Sequence, residues 1–315
     1  MCGLCRTLGG VGSRKKTYRA QVASREAYIL GEGPVWDGPT GRVVWVDIQA
    51  GLVLEGALRS DGVEPVRGHS LPGTVGAAVP ASDGGLLVAA RDGLATISPD
   101  GRLDLGPRLL PGGADSRFND GACDPAGRFL VGSLSLDGRR SDERLYRLES
   151  DGSVRVLADR VTLSNGLGWS PDGRTMYHVD SVPGTVWSAA YDPVTGEVGE
   201  RRTLLSIADG LPDGLCVDVE GNLWIAIWGG GEVRRYTPRG ELIATVAVPA
   251  PHTTSVAFVG EGRDRLLITT ARDGLSEADL DAHPESGRLF LADVPTMGVP
   301  TPRWAGDTAT PPWRA

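Results

Sequence analysis

Runs of alternating apolar character, separated by glycine-containing turns, recur six times along the chain. In each repeat a turn glycine precedes an apolar run, and these runs read GRVVWVD, GGLLVAA, GRFLVGS, GRTMYHVD, GNLWIAI and GRDRLLIT. The turn glycines, spaced by 43, 43, 46, 48 and 41 residues, are Gly41, Gly84, Gly127, Gly173, Gly221 and Gly262. A period of roughly 40–50 residues built from strands is typical of a propeller with one four-stranded blade per repeat. The pattern therefore predicts an all-β fold, a six-bladed β-propeller.

A polar residue recurs on the segment before each turn glycine. In five of the six repeats this segment contains a variable residue followed by Gly. The residues at this position, with Ser255 in the sixth repeat, are Glu32, Val75, Asp120, Asn165, Asp213 and Ser255. The innermost strands of a propeller meet at its axis, where a repeated core position would be apolar because burying an unpaired charge is costly. Four carboxylates or amides among six positions therefore indicate a hard cation or a polar ligand on the axis, although Asn-Gly and Asp-Gly are also ordinary turn dipeptides.

Composition and charge narrow the classes of partner. The formal net charge is −8 and the pI is about 5.1, which argues against nucleic acid or an anionic membrane as a partner. No apolar run approaches the ~20 residues of a membrane span. Four scattered cysteines suit a reducing compartment, so we expect a cytoplasmic protein.

The N-terminal segment differs from the rest of the chain. Residues 1–20 begin basic and rich in Gly, carry Cys2 and Cys5, and lack the continuous apolar stretch of a secretion signal. We expect a disordered extension over residues 1–20 and a single propeller domain over residues 21–315.

Several motifs in register carry a family resemblance. These are LGEGPVW at 30–36, RFNDG at 117–121, SNGLGWSPDG at 164–173, PDGLCVDVEGNLW at 212–224 and ARDGL at 271–275. Together they resemble the regucalcin (senescence marker protein)/gluconolactonase family, in its bacterial sugar-lactonase form, over about residues 28–295. The resemblance implies a six-bladed propeller that hydrolyses sugar lactones with one divalent cation, such as calcium, zinc, manganese or iron.

The resemblance also implies roles for individual residues. It assigns the metal to Glu32, Asn165 and Asp213, which the repeat register had already selected. It assigns contacts with substrate hydroxyl groups to Arg117 and Asn119. The register selects the next residue, Asp120, which we keep as a nearby carboxylate.

Two further carboxylates are candidate site residues. Asp137 falls at about the position of a lid glutamate of some family members, in a segment that is shorter here. Asp180 matches a family aspartate at the rim of the cavity, and capping a turn is its alternative role. Both stay candidate substrate contacts at this point.

The implied residues form a coherent hydrolytic site. Two carboxylates and an amide oxygen make a hard, open metal site, and a metal there can polarise a lactone carbonyl. Asp213 is the candidate general base for the attacking water. Two alternatives stay open: an organophosphate or aryl-ester hydrolase on the same scaffold, and a non-enzymatic calcium-binding regulatory protein. The sequence leaves the identity of the lactone, the metal and the oligomeric state open.

Overall fold

The sheets of the protein form a closed ring of six blades. The computed structural model describes residues 15–110, 115–136 and 142–314. Its strands form six antiparallel sheets of four strands, one of which gains a fifth, parallel strand. The prediction of an all-β, six-bladed β-propeller is confirmed. Each sheet runs outward from an inner strand on the axis, and these inner strands span Gly31–Asp37, Val75–Pro80, Ser116–Cys123, Ser164–Trp169, Leu211–Val217 and Thr253–Val259.

The first three blades are each built from four consecutive strands. Blade 1 contains β3 (Gly31–Asp37), β4 (Arg42–Asp47), β5 (Leu52–Leu58) and β6 (Val63–Ser70). Blade 2 contains β7 (Val75–Pro80), β8 (Leu86–Ala90), β9 (Gly93–Ile97) and β10 (Leu103–Arg108). Blade 3 contains β11 (Ser116–Cys123), β12 (Phe129–Ser135), β13 (Glu143–Leu148) and β14 (Val154–Val161).

The last three blades include two strands from the N-terminal segment. Blade 4 contains β15 (Ser164–Trp169), β16 (Thr175–Asp180), β17 (Thr185–Ala190) and β18 (Arg202–Ser206). Blade 5 contains β19 (Leu211–Val217), β20 (Leu223–Trp228), β21 (Glu232–Tyr236), β22 (Leu242–Ala247) and β1 (Lys16–Arg19). Blade 6 contains β23 (Thr253–Val259), β24 (Arg265–Thr270), β25 (Phe290–Asp293) and β2 (Gln21–Val22).

The N-terminal segment closes the ring. Strand β2 pairs with β25 as the outermost strand of blade 6, so both parts of the chain contribute to one sheet. Strand β1 pairs in parallel with β22 at the outer edge of blade 5. The expected disordered extension over residues 1–20 is therefore wrong for Lys16–Arg19, because their backbone groups complete a sheet edge. Residues 1–14, with Cys2 and Cys5, lie outside the described residues.

Every inner strand is interrupted by a register shift at the predicted axial position. The shift falls between Glu32 and Val35 in β3, and at the equivalent place in the other five inner strands. Such bulges re-aim side chains and bend the strand. At Gly76, Gly166 and Gly214 glycine is needed because neighbouring inner strands approach closely: a Cβ at Gly166 would lie 2.6 Å from the carbonyl oxygen of Asp213. Gly33 has open space around it and a positive φ, which glycine adopts without strain.

The turns between the first and second strands follow the predicted glycines in five repeats. Five turn glycines have a positive φ, whereas in the sixth repeat Gly260 and Arg263 adopt it in place of Gly262. Apolar side chains pack between adjacent blades, and Trp45 and Trp224 are fully buried there. The core therefore lies between the blades and leaves the axis free for polar residues.

Helical structure is limited to two short segments. The α-helix, α1, spans Glu277–Ala282 and is capped by Ser276, and a 3₁₀ turn spans Pro312–Arg314. Within the described residues no helix has the length and apolar character that would take it across a bilayer. The C-terminal segment runs back over blades 1 to 3, where Arg303 forms a two-bond ion pair with Asp37.

Candidate active site

The predicted site residues lie where the inner strands begin, which we call the upper end of the axial channel. Strand β3 supplies Glu32, and β11 supplies Arg117 and Asn119. Strands β15 and β19 supply Asn165 and Asp213. All five side chains are buried. Because the bulge sits at the same height in each strand, residues up to about 180 positions apart in sequence face one space.

Asn119 joins two blades through its side-chain amide. Its Oδ1 accepts a hydrogen bond from Nη1 of Arg117 at 2.7 Å. Its Nδ2 donates to Oδ1 of Asn165 and to the carbonyl oxygen of Ser164, both at 2.9 Å. Asn119 thereby holds Arg117 and Asn165 in fixed orientations, a positioning role that adds to the contact that sequence reasoning gave it.

Ser181 fixes the orientation of the Asn165 amide. Nδ2 of Asn165 donates to Oγ of Ser181 at 2.9 Å, and that hydroxyl donates to the carbonyl oxygen of Pro212 at 2.6 Å. The amide nitrogen of Asn165 is therefore tied to blade 4, and its oxygen is turned towards Asn119. Sequence reasoning missed Ser181, although it directly follows Asp180 in the YHVDS run.

Three carboxylates form what we call the carboxylate cluster: Glu32 and Asp213, which are buried, and Asp120, which is half-buried. Burial and then the charge of Asp120 raise the pKa of Glu32 to about 8. Burial raises the pKa of Asp120 to about 6. Burial, followed by repulsion from Glu32 and Asp120, holds the pKa of Asp213 well above its usual range. The cluster therefore concentrates negative charge in a space that favours a cation.

Arg117 faces this negative charge. Burial lowers the pKa of its guanidinium to about 10, while Glu32, Asp273 and Asp213 favour the charged form. Asp273 follows β24 and is an acidic neighbour that sequence reasoning did not assign, although it lies in the ARDGL motif. Arg117 is thus a buried cation whose charge is stabilised by carboxylates of the cluster.

The carboxylates of the cluster make few hydrogen bonds. Glu32 and Asp120 each accept a bond from the backbone amide that follows, at 2.9 and 2.8 Å. Oδ1 of Asp213 is buried and has no hydrogen-bond partner. In the described part of the chain, no group of three or more His, Cys, Asp or Glu side chains is placed to hold a metal ion. The predicted ligand set contains two carboxylates and one amide. Two observations agree with a cation bound by this set: Asp213 Oδ1 has no hydrogen-bond partner, and the orientation of the Asn165 amide is fixed.

Asp180 stands apart from the cluster and has a structural role. Its two carboxylate oxygens accept hydrogen bonds from the backbone amides of Thr162 and Leu163, at 3.0–3.2 Å. Asp47 ends the equivalent strand of blade 1 and accepts from Ile29 and Leu30 in the same way. Asp180 therefore caps a turn, which is the second of its two proposed roles. Asp137 lies outside the described residues.

Comparison with known proteins identifies the family of this chain. The SMP-30/Gluconolactonase/LRE-like region matches residues 30–272. The chain belongs to the SMP-30/gluconolactonase/LRE-like family. Zebrafish (Danio rerio) regucalcin is 35% identical over 294 residues, which cover 91% of this chain and 99% of that protein. The putative sugar lactone lactonase YvrE of Bacillus subtilis (strain 168) is 34% identical over 285 residues, covering 89% and 96%.

A solved structure of the family agrees in fold. The calcium-binding protein regucalcin from Agrobacterium tumefaciens has a TM-score of 0.86 and 30% sequence identity, and the match covers 92% of this chain and 99% of that one. The suspected family resemblance is thus confirmed over nearly the whole propeller. The five residues at the upper end lie within the matched range of the SMP-30/gluconolactonase/LRE-like family.

Proposed function

We propose that this protein hydrolyses a sugar lactone to the aldonic acid, with a divalent cation held by Glu32, Asn165 and Asp213. The observation that carries this function is the unpartnered oxygen of Asp213, which is buried within the carboxylate cluster. The name of one relative, a putative sugar lactone lactonase, supports the reaction class. The structural relative from Agrobacterium is named a calcium-binding protein, which makes calcium the first cation to test.

The donor set fits a hard divalent cation. Carboxylate and amide oxygens are the ligands that calcium and related cations prefer, with water or substrate completing the shell. A positive charge would also offset the repulsion that raises the pKa of Glu32 and of Asp213. When bound, the cation would polarise the lactone carbonyl and stabilise the negative charge that develops on its oxygen.

Arg117 and Asn119 are the residues that we assign to the hydroxyl groups of the sugar ring. Nη1 of Arg117 donates to the carbonyl oxygen of Phe118 and to Asn119, which holds the planar head in place. A guanidinium has five N–H donors, so donors are left for a ligand. The amide of Asn119 also donates to Asn165, which links substrate contact to the orientation of a proposed metal ligand.

Asp213 is the residue that we assign to proton transfer. Burial, followed by the charges of Glu32 and Asp120, raises the pKa of Asp213, which makes its carboxylate a stronger base than an ordinary aspartate. The carboxylate oxygen of Asp213 that does not bind the cation would take a proton from water as the water oxygen attacks the carbonyl carbon of the lactone. That proton would pass to the ring oxygen as the bond between carbonyl carbon and ring oxygen breaks, which yields the open-chain acid.

Metal removal tests this function. Chelation, checked by elemental analysis, should abolish lactone hydrolysis measured as proton release, and refilling with calcium, zinc, manganese or iron(II) should restore it. Full turnover of metal-free protein would contradict the proposed metal site. Metal binding without turnover of any lactone would favour a calcium-binding regulatory protein. Turnover of aryl esters or phosphotriesters in place of lactones would favour the other hydrolase.

A further inference from the structure

A second space lies on the axis beyond the candidate site. It is a cavity of about 480 Å³ at the end of the channel where the inner strands finish, which we call the lower cavity. All six inner strands line it, and its outer end is bordered by residues 170–173 and 299–302. Among its described lining residues, none is Glu32, Arg117, Asn119, Asn165 or Asp213. Asp120, a member of the carboxylate cluster, also lines this space, so the lower cavity adjoins the candidate active site at that residue.

The walls of the lower cavity are mostly apolar. Val35, Leu167, Val217 and Phe258 line it and belong to, or pack against, the hydrophobic clusters between blades. Its volume falls within the range of about 300–1,000 Å³ that is usual for small-molecule pockets. A wall of this kind favours the apolar body of a ligand over a polyhydroxylated sugar.

The charged groups of the lower cavity are of one sign. Among the described residues that line it, only Asp120 and Asp172 carry charge, and no Lys, Arg or His is present. Asp172 lies at the outer end, where it is engaged by Ser170 Oγ at 2.6 Å and by the amide of Arg174 at 3.0 Å. Asp120 lies at the inner end, and one of its oxygens accepts from the amide of Gly121. A ligand with a carboxylate would thus be repelled, and a cationic group would be attracted.

Asp120 is suited to receive that cationic group. It lies deep in the propeller and still keeps part of its side chain accessible, because it borders this cavity. A carboxylate set in a mostly apolar wall gains from a charge-assisted hydrogen bond to a cationic ligand group.

We propose that the lower cavity binds a small apolar molecule that carries a single ammonium group. The ammonium lies at Asp120, and the apolar body lies between the walls formed by Leu167, Val217 and Phe258. Asp120 is the one residue that this site shares with the carboxylate cluster, since none of the other residues proposed for lactone hydrolysis lines the lower cavity.

Calorimetric titration of the full chain tests this site, with calcium present in excess so that the upper carboxylates are engaged. Three matched probes are compared: 4-phenylbutylammonium, its neutral N-acetyl amide and the anion 5-phenylpentanoate. The ammonium should bind saturably with one molecule per chain. It should bind about tenfold or more tightly than the amide, since a hydrogen bond to a charged group contributes roughly 1.5–3 kcal/mol. No saturable binding of the ammonium, or equal binding of all three probes, would overturn the assignment.

Variants locate the bound probe. Asp120→Asn should weaken binding of the ammonium about tenfold or more and leave the amide unchanged. Asp172→Asn is the matched control at the outer end and should change either affinity less than about twofold. Ala257→Phe, which fills the cavity without removing a charge, should abolish binding of both probes, with folding checked by thermal denaturation. Binding that survives Ala257→Phe, or that is lost in Asp172→Asn alone, contradicts the placement.

Discussion

The two ends of the axial channel are built from the same six strands and have opposite chemistry. At the upper end the bulges present Glu32, Asn165 and Asp213, which are polar and buried. A few residues further along the same strands, Leu167 and Val217 line the lower cavity and join the packing between blades. The comparison teaches that the bulge divides each inner strand into two parts. A polar residue at the bulge faces the axis and can take part in chemistry, whereas the apolar residues after it pack between the blades and stabilise the fold.

The separation also depends on which blades carry polar residues. At the repeated position blade 2 carries Val75 and blade 6 carries Ser255, whereas the carboxylates come from blades 1, 3 and 5. Blades 2 and 6 form the same bulge with an uncharged residue at the repeated position, so the architecture does not require the charged residues of the upper end. Changes at the upper end should therefore alter chemistry more than folding.

The largest expected effect is on turnover and comes from Asp213→Asn. The amide keeps an oxygen that can bind a cation and removes the proposed base, which typically contributes about 10²–10⁴ in rate. We expect kcat for lactone hydrolysis to fall by that factor with metal at saturation, as checked by calorimetric metal titration. Glu32→Gln also removes a ligand charge, and its loss should be recovered by raising the metal concentration.

A variant in the lower cavity serves as the control for Asp213→Asn. Ala257→Phe should keep kcat within about twofold of wild type, since Ala257 lines the lower cavity and the proposed metal ligands do not. Turnover of Asp213→Asn at the wild-type rate would make Asp213 a ligand only. A loss of turnover in Ala257→Phe as large as that in Asp213→Asn would break the separation of the two ends.

Much of the fold and part of the site follow from the sequence. The repeat period fixes the number of blades, and the strand register brings Glu32, Asp120, Asn165 and Asp213 to the axis, because equivalent positions of repeated blades meet there. The sequence also shows that Asp47 and Asp180 end equivalent strands, in VVWVD and MYHVD. The hydrogen bonds of the two carboxylates are needed to identify both as caps.

Other parts of the site depend on contacts that no repeat encodes. Ser181 reaches Asn165 from the end of a neighbouring strand, at a distance set by the bulge. Asp273 influences Arg117 only because ring closure brings blade 6 back beside the other blades. The lower cavity was not predicted either, because an apolar residue in a strand has the same pattern whether it faces a neighbouring blade or an open space.

An intermediate effect is expected on metal affinity, from Ser181→Ala. The hydroxyl of Ser181 holds the Asn165 amide so that its oxygen is directed away from blade 4. Loss of such an outer contact typically costs about 10-fold to 100-fold in metal affinity. We expect that loss for calcium, measured by calorimetry, with partial recovery in Ser181→Thr.

Ser164→Ala is the matched control for Ser181. It removes a buried hydroxyl that bonds His178 and leaves the side chain of Asn165 untouched. Its calcium affinity should stay within about twofold of wild type, although both variants should lose similar thermal stability. Equal loss of affinity in the two variants would show that Ser181 acts through general packing.

The smallest expected effect is a pH dependence of stability that belongs to the upper end alone. The pKa of Glu32 is raised from 4.5 to about 8 by burial and by Asp120, so the folded protein holds a proton that the unfolded chain releases. The resulting stability is fully present below about pH 4.5 and is lost as pH rises towards 8. Metal-stripped protein should therefore lose a few degrees of melting temperature over this window, relative to Glu32→Gln, and excess calcium should flatten the difference. A melting temperature that rises with pH in this comparison would contradict the repulsion between carboxylates on which the proposed metal site depends.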